Sequence, residues 1–158
     1  TAIASPLRED CHVEMWEYVA PSKSCIYHEG TISWVVFGDS HAVELAYALA
    51  ETLKPSNIGL RHLSRSGCNP AYAKKNSDDL CTRWTEDSIR YILEASELKN
   101  VVVTYKMSNI PTGRERDIAW ESYIKVLKAL VDGGKNVYLV LQAPALRTDV
   151  NQLIRLVP

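Results

Sequence analysis

The chain has 158 residues, 46% of them hydrophobic and 23% charged, which is typical of one folded domain with its own core. Lys and Arg total 18 against 19 Asp and Glu, so a net charge of −1 gives no basis for binding nucleic acid or an anionic membrane surface. No apolar run approaches the roughly 20 residues of a membrane-spanning helix, and no secretory signal pattern opens the chain.

The first 30 residues show no helix or strand periodicity and contain two prolines and a closing glycine. We expect residues 1–30 to form an irregular segment that wraps the rest of the molecule. Residues 31–158 carry the patterns of a folded α/β core. We therefore interpret residues 1–158 as a single domain.

The first strong element is an apolar run that stops at the polar turn Gly38-Asp39-Ser40. It predicts a buried strand over Ile32–Phe37, and the apolar spacing after the turn predicts a helix over His41–Lys54. Ser40 would then lie at the carboxyl end of a strand and the amino end of a helix. Ligands of open α/β sheets bind at that edge, and the free N–H groups there favour negative charge.

The rest of the chain alternates predicted strands with predicted helices. The strands are expected near Ile58–Leu63, Val101–Tyr105 and Asn136–Leu141, and the helices near Thr82–Leu98 and Arg116–Asp132. Between them, Ser64–Asp79 is a long polar loop of a kind that is often functional. This alternation predicts an α/β fold with a three-layer, doubly wound parallel sheet.

The four cysteines form two pairs that are close in sequence, Cys11 with Cys25 and Cys68 with Cys81. Sequential pairing would close two loops of about 15 residues, each worth roughly 3 kcal/mol. Such disulfides persist in the periplasm or outside the cell. Free buried thiols are one alternative, and a four-thiolate zinc site is another, although no Cys-x-x-Cys spacing is present.

Three predicted strand ends meet at one edge of this sheet, and their residues suit acyl transfer. That reaction needs a nucleophilic hydroxyl, a base for its proton and donors for the developing oxyanion. Ser40 is the candidate nucleophile. Gly67 is a candidate oxyanion donor because a glycine lets a backbone N–H approach a substrate closely. The alternatives are a turn in which Ser40 or Asp39 caps the helix, and a plain turn glycine at Gly67.

Two motifs resemble those of a known family: Phe37-Gly38-Asp39-Ser40-His41-Ala42 and Ser66-Gly67-Cys68-Asn69-Pro70. Together with the paired cysteines they are similar to SGNH (GDSL-like) hydrolases and acyltransferases. The likeness is greatest to the SGNH domains at the C-terminus of acyltransferase-3 membrane proteins, and it spans about Cys11 to Pro144. It implies a flavodoxin-like SGNH-hydrolase fold and O-acetylation of a bacterial surface polysaccharide, such as lipopolysaccharide O-antigen, through an acyl-Ser40 intermediate.

The resemblance also implies partners and a location. The acetyl donor would come from an N-terminal transmembrane acyltransferase domain of the same protein, with no cofactor or metal bound here. The acceptor would be a glycan, and the domain would be periplasmic and tethered to the inner membrane. By position, Ser40 matches the nucleophile, Gly67 the second-block oxyanion donor and Lys106 a basic residue of the third block. Asn109 is a further candidate donor.

The Asp-x-x-His motif that supplies the base in this family has no positional match, since no histidine follows His62. We therefore expect the C-terminal part of the fold to be missing from this chain, and hydrolysis by it to be very weak. Asp39 and His41 are expected to support the turn. Packing is the expected role of His62, and a surface or structural role is expected for His12 and His28.

Two other functions remain open on the same scaffold. A polysaccharide acetylesterase would use water in place of the sugar hydroxyl, and a non-catalytic carbohydrate-binding module would need no base. Aromatic side chains that could stack on sugars are Trp16, Trp34, Trp84 and Trp120, although core packing is commoner at their spacings.

Overall fold

A five-stranded sheet with helices on both faces forms the fold, and the computed structural model describes residues 5–68, 79–106 and 113–141. In sheet order the strands are β1 (Ile26–Tyr27), β3 (Ile58–Ser64), β2 (Thr31–Gly38), β4 (Asn100–Thr104) and β5 (Asn136–Leu139). All except β1 are parallel. The chain runs from β2 to β3 on one side and then crosses to β4 on the other. Strand order therefore reverses at β2, the position where α/β sheets bind ligands.

The predicted doubly wound α/β class is confirmed, with one difference at the sheet edge. The sheet is mixed, because the two-residue strand β1 pairs antiparallel with β3. A short helix, α1 (Arg8–Cys11), precedes it. The prediction that the first 30 residues are irregular is wrong at these two elements. Elements of two and four residues are too short to produce a readable periodicity.

Helices cover both faces of the sheet, as the unbroken apolar run of β2 predicts. Helix α2 (Ala42–Leu53) packs on one face, while α3 (Leu80–Glu94) and α4 (Arg114–Asp132) pack on the other. Side chains of β2 alternate between the two cores, with Val36 on the α2 side and Phe37 on the opposite side. None of the described helices has the length and apolar character needed to cross a membrane.

The boundaries of α3 differ from those predicted. Asp79 caps this helix by accepting a hydrogen bond from the Thr82 N–H at 2.8 Å, so the helix begins at Leu80, two residues before the expected start. It ends at Glu94, four residues before the predicted Leu98. The side chain of Leu98 is nevertheless buried in the same core, which explains why its spacing resembles a continuing helix.

Both predicted disulfides are present. Cys11 bonds Cys25, and Cys68 bonds Cys81, with Cα atoms 5.3 Å apart in each pair. The first bond joins α1 to the residue before β1, and the second joins the loop after β3 to the first turn of α3. The free-thiol and zinc alternatives are therefore excluded.

Gly38 marks the level at which three strands come together. It pairs with Ser64 of β3 and with Thr104 of β4. A Cβ atom at this position would lie only 1.8 Å from the Thr104 carbonyl oxygen. Only glycine therefore fits at this position. Because it has no side chain, β2 and β4 can end side by side.

We expect Gly38→Ala to lower the free energy of unfolding by about 3 kcal/mol, because the added methyl group forces β2 away from β4. Gly134→Ala is the matched control. Gly134 has a φ of +76°, and apart from its two chain neighbours no described residue has an atom within 4 Å of its added Cβ, so only a backbone cost of about 1 kcal/mol is expected. Urea unfolding followed by circular dichroism measures both. Equal losses would contradict the close approach of the strands.

Candidate active site

Ser40 lies in the tight turn between β2 and α2, at the carboxyl edge of the sheet, and is partly exposed. The Ala42 N–H donates to the Asp39 carbonyl at 3.0 Å and closes this turn through the backbone. In the described part of the chain no side chain caps α2. The Ser40 hydroxyl is therefore not used as a helix cap, which removes the simplest structural explanation for it.

The carboxylate of Asp39 holds this turn in place. Asp39 is 4% exposed, and its two oxygens accept hydrogen bonds from two backbone amides. The His41 N–H donates to Oδ1 at 2.8 Å, and the Lys106 N–H donates to Oδ2 at 2.7 Å. The second bond crosses from the β2 turn to the segment that follows β4. One buried carboxylate thus sets the positions of two strand ends relative to Ser40.

The loop that carries Gly67 meets the same edge. The Arg65 N–H donates to the Gly38 carbonyl at 3.1 Å, which extends the contact between β3 and β2 toward the Ser40 turn. Gly67 follows with a φ of +61°, a left-handed conformation that favours glycine, and it is exposed. This arrangement suits a backbone donor that faces a substrate.

The structure brings most of the predicted site residues to one edge. Those that lie there are Asp39, Ser40, His41, Gly67 and Lys106. Asn109 lies outside the described residues. The Lys106 backbone is bound to Asp39, whereas its side chain is partly exposed.

The histidines differ in their surroundings. The Nδ1 atom of His41 lies 3.3 Å from Oδ1 of Asp39, so it faces the structural carboxylate. His62 is fully buried in β3, where its Nδ1 lies 3.1 Å from the Tyr27 hydroxyl. His12 is also buried, with Nδ1 2.8 Å from the Ser64 hydroxyl. Burial is the main cause that lowers the pKa of His62 to about 4, and the nearby His12 makes a smaller contribution in the same direction.

Two buried tyrosines lie behind the site. Tyr105 directly follows β4, and its ring packs edge-on against Phe37 and Tyr123. Burial, with a smaller contribution from the Asp39 charge, raises the pKa of Tyr123 to about 12. Burial also raises the pKa of Tyr105. Both phenols keep their protons at neutral pH, so neither can take the proton of a serine nucleophile.

Sequence reasoning missed Arg65 and the turn that it holds. Arg65 is 3% exposed, and its guanidinium donates to the carbonyl of Met15 and, at 3.3 Å, to that of Glu17. The available signal was an arginine two residues beyond the predicted strand Ile58–Leu63, where a guanidinium that becomes buried needs several acceptors. Its acceptors lie about 50 residues away in sequence, so no local pattern identifies them.

The arrangement supplies a hydroxyl on a fixed turn beside an exposed glycine loop and a basic residue. These residues could supply the nucleophile and the backbone donor of an acyl transfer, which also needs a base for the serine proton. Over residues 5–68, 79–106 and 113–141, no group of three His, Cys, Asp or Glu side chains is placed to hold a metal ion.

Comparisons with known proteins agree with this fold. A family model described as "SGNH domain (fused to AT3 domains)" matches residues 10–157. The chain is also similar to the lipopolysaccharide acetyltransferase periplasmic domain of Salmonella ser. Paratyphi A, with a TM-score of 0.59 and 14% identity. That match covers 82% of this chain and 51% of the other, so the chain spans about half of that structure. At this identity the likeness shows the fold. No curated protein matches the chain.

Removing the Asp39 carboxylate should destabilise the protein. We expect Asp39→Ala to cost about 2–4 kcal/mol of unfolding free energy, because the His41 and Lys106 amides lose their acceptors. Asp39→Asn keeps one acceptor oxygen and should cost about half as much. Asp132→Ala, which removes an exposed carboxylate paired with Lys128, should cost about 0.5 kcal/mol or less. Urea unfolding of the three variants tests this ranking, and an Asp39→Ala loss no larger than that of Asp132→Ala would contradict it.

The buried His62 should make the protein acid-sensitive. The folded state keeps His62 neutral down to a pH of about 4, whereas the unfolded chain protonates it below its ordinary pKa of 6.5. The unfolded state therefore binds more protons between these values, and the unfolding free energy falls as pH drops through this window, by up to about 3 kcal/mol. His12, whose pKa burial also lowers, adds to the same trend.

Unfolding free energies measured from pH 7 to pH 4 test this expectation. His62→Gln retains a polar side chain for the Tyr27 hydroxyl but does not titrate, so its stability should fall less steeply with acid. An unchanged slope in His62→Gln would show that His62 does not cause the acid sensitivity.

Proposed function

The chain belongs to the family of SGNH domains that are fused to AT3 domains, and on that premise we propose that it transfers an acetyl group to a hydroxyl of a bacterial surface polysaccharide, such as lipopolysaccharide O-antigen. The observation that carries this proposal is the position of Ser40. Its hydroxyl lies at the switch point of the sheet, on a turn that the buried Asp39 carboxylate holds, and it does not cap α2.

In the first step the Ser40 Oγ attacks the carbonyl carbon of an acetyl donor. A bond forms between Oγ and that carbon, the donor's leaving group departs, and the hydroxyl proton passes to a base. The Gly67 N–H stabilises the negative oxygen of the intermediate, a contribution of about 2.7–4 kcal/mol for one such donor. Lys106 and Asn109 are the further candidates for contacts with the oxyanion or the substrate.

In the second step a sugar hydroxyl attacks the acetyl carbon of acyl-Ser40. The bond to Oγ breaks, Oγ regains a proton, and the acetyl group leaves on the sugar as an ester. The base is a residue other than Asp39 or His62. The Asp39 carboxylate already accepts from two backbone amides, and His62 is sealed within the sheet layer beside Tyr27.

The acetyl donor, in this proposal, comes from a transmembrane acyltransferase domain of the same protein. The family description supports this, since its members are SGNH domains fused to AT3 domains. The two disulfides support a periplasmic location, because such bonds persist in oxidising compartments. No bound cofactor is needed, because the acetyl group arrives activated.

Ser40→Ala tests the reaction. The assay uses the intact protein, with p-nitrophenyl acetate as the donor and the deacetylated surface polysaccharide of the producing cell as the acceptor. We expect Ser40→Ala to lower acetyl transfer about 1,000-fold or more. Ser56→Ala, which removes an exposed hydroxyl at the other end of α2, should retain full activity. Mass spectrometry should find an acetyl group on the Ser40 peptide of the wild-type protein during turnover.

Two results would contradict the proposal. Acetate release that depends on Ser40 but is indifferent to the acceptor would indicate an esterase. Equal acetyl transfer by wild-type protein and Ser40→Ala would remove Ser40 from the reaction.

A further inference from the structure

Trp16 stands out on the surface beside the candidate active site. Its side chain is 70% exposed, more than any other large hydrophobic side chain in the described ranges, and the adjacent Met15 is 57% exposed. Trp84, by comparison, is buried in the core. An indole left in water costs hydrophobic free energy, so its exposure needs a reason beyond folding.

The turn that carries Trp16 is held firmly. The Val13 N–H donates to the Ser64 carbonyl at 3.1 Å, and the Ser66 N–H donates to the Val13 carbonyl at 2.8 Å. The buried Arg65 guanidinium donates to the carbonyls of Met15 and Glu17, the two residues that flank Trp16. The backbone on both sides of the indole is therefore anchored to the end of β3. Its exposure is a property of the fold and not of a loose chain end.

The same turn borders the candidate oxyanion donor. A Cβ atom placed on Gly67 would lie 3.5 Å from Cε of Met15, so the Met15 methyl group lies within van der Waals reach of this position. Trp16 follows directly. The Met15–Trp16 turn therefore lies next to the Gly67 loop.

A groove lies between the segment that follows Trp16 and helix α3. It is shallow and open, and it is lined by Tyr18, Ala20, Pro21, Ser22, Asp87, Arg90, Tyr91 and Glu94. The Tyr18 hydroxyl donates to Asp87, which also accepts from Arg90. Hydroxyl, carboxylate and guanidinium groups held in this way can exchange hydrogen bonds with the hydroxyls of a sugar chain.

We propose that Met15, Trp16 and this groove form an acceptor subsite, in which a sugar ring next to the one that is acetylated stacks on the Trp16 indole. The inference rests on the proposed function and adds the surface that recognises its acceptor. The electron-rich face of an indole attracts the C–H face of a pyranose ring, and a tryptophan loses little conformational entropy on binding.

The size of the surface favours a glycan over a protein partner. The exposed parts of Met15, Trp16 and Tyr18 together amount to about 400 Å² at most. A stable protein interface buries roughly 800 Å² on each partner. One or two sugar rings fit the smaller area, and in this proposal the polar side chains of the groove contact the next units of the chain.

The matched variants are Trp16→Leu, Trp16→Tyr and Trp120→Leu, made in the intact protein with the deacetylated surface polysaccharide of the producing cell as the probe. We expect Trp16→Leu to raise the acceptor KM about ten-fold, because the lost stacking weakens acceptor binding. Trp16→Tyr should restore most of the affinity, since it keeps an aromatic face. Trp120→Leu removes a partly exposed tryptophan of α4 and should leave the acceptor KM unchanged.

A binding measurement separates this subsite from the chemistry. In Ser40→Ala protein the polysaccharide should still change the tryptophan emission, and adding Trp16→Leu should abolish that change while adding Trp120→Leu should not.

An unchanged acceptor KM in Trp16→Leu, with Ser40-dependent transfer intact, would overturn the subsite and leave the proposed function standing. A lower kcat at unchanged acceptor KM would overturn it too and would indicate that another protein segment contacts the turn. Binding through Trp16 without any transfer by the wild-type protein would support the subsite and refute the proposed function.

Discussion

The buried carboxylate of Asp39 is the interaction on which the site depends. It accepts one hydrogen bond from a backbone amide in the turn before α2 and a second from a backbone amide in the segment after β4. Parallel strands end without a shared turn, so their carboxyl ends need a separate connection at this edge. Hydrogen bonds to a charged acceptor are stronger than neutral ones, and here both donors belong to the main chain. Ser40 is held between these two anchor points.

Gly38 sets how closely β2 and β4 approach each other just before Asp39. Because it has no side chain, the Thr104 carbonyl can approach the β2 backbone, and the Asp39 carboxylate that follows can reach the Lys106 amide. The glycine and the aspartate of the Gly-Asp-Ser turn therefore act together. One allows the strands to approach each other, the other links them, and the serine after them is left with its hydroxyl unused by the helix.

The N-terminal segment packs against the end of β3 beside the candidate site. One disulfide ties it near β1, and Arg65 holds the Met15–Trp16 turn against the end of β3. Buried groups at this border are paired with the segment, including the Ser64 hydroxyl with His12. The segment thus borders the candidate active-site edge, and the acceptor subsite that we propose belongs to this segment and the adjoining groove.

Local patterns in the sequence determine the strand–turn–helix unit around Ser40, the alternation of strands and helices, and the pairing of cysteines that lie close in the chain. Each of these is a short-range property, visible as periodicity, punctuation or spacing. Only the tertiary structure decides that Asp39 bonds to Lys106, that Arg65 holds Met15, and that β1 adds to the sheet antiparallel. The Lys106 amide lies 67 residues from the Asp39 carboxylate that accepts its hydrogen bond, and the Met15 carbonyl lies 50 residues from the Arg65 guanidinium that donates to it. Hydrogen bonds over such separations leave no local signature, because they form only when the strand ends that carry them are brought together.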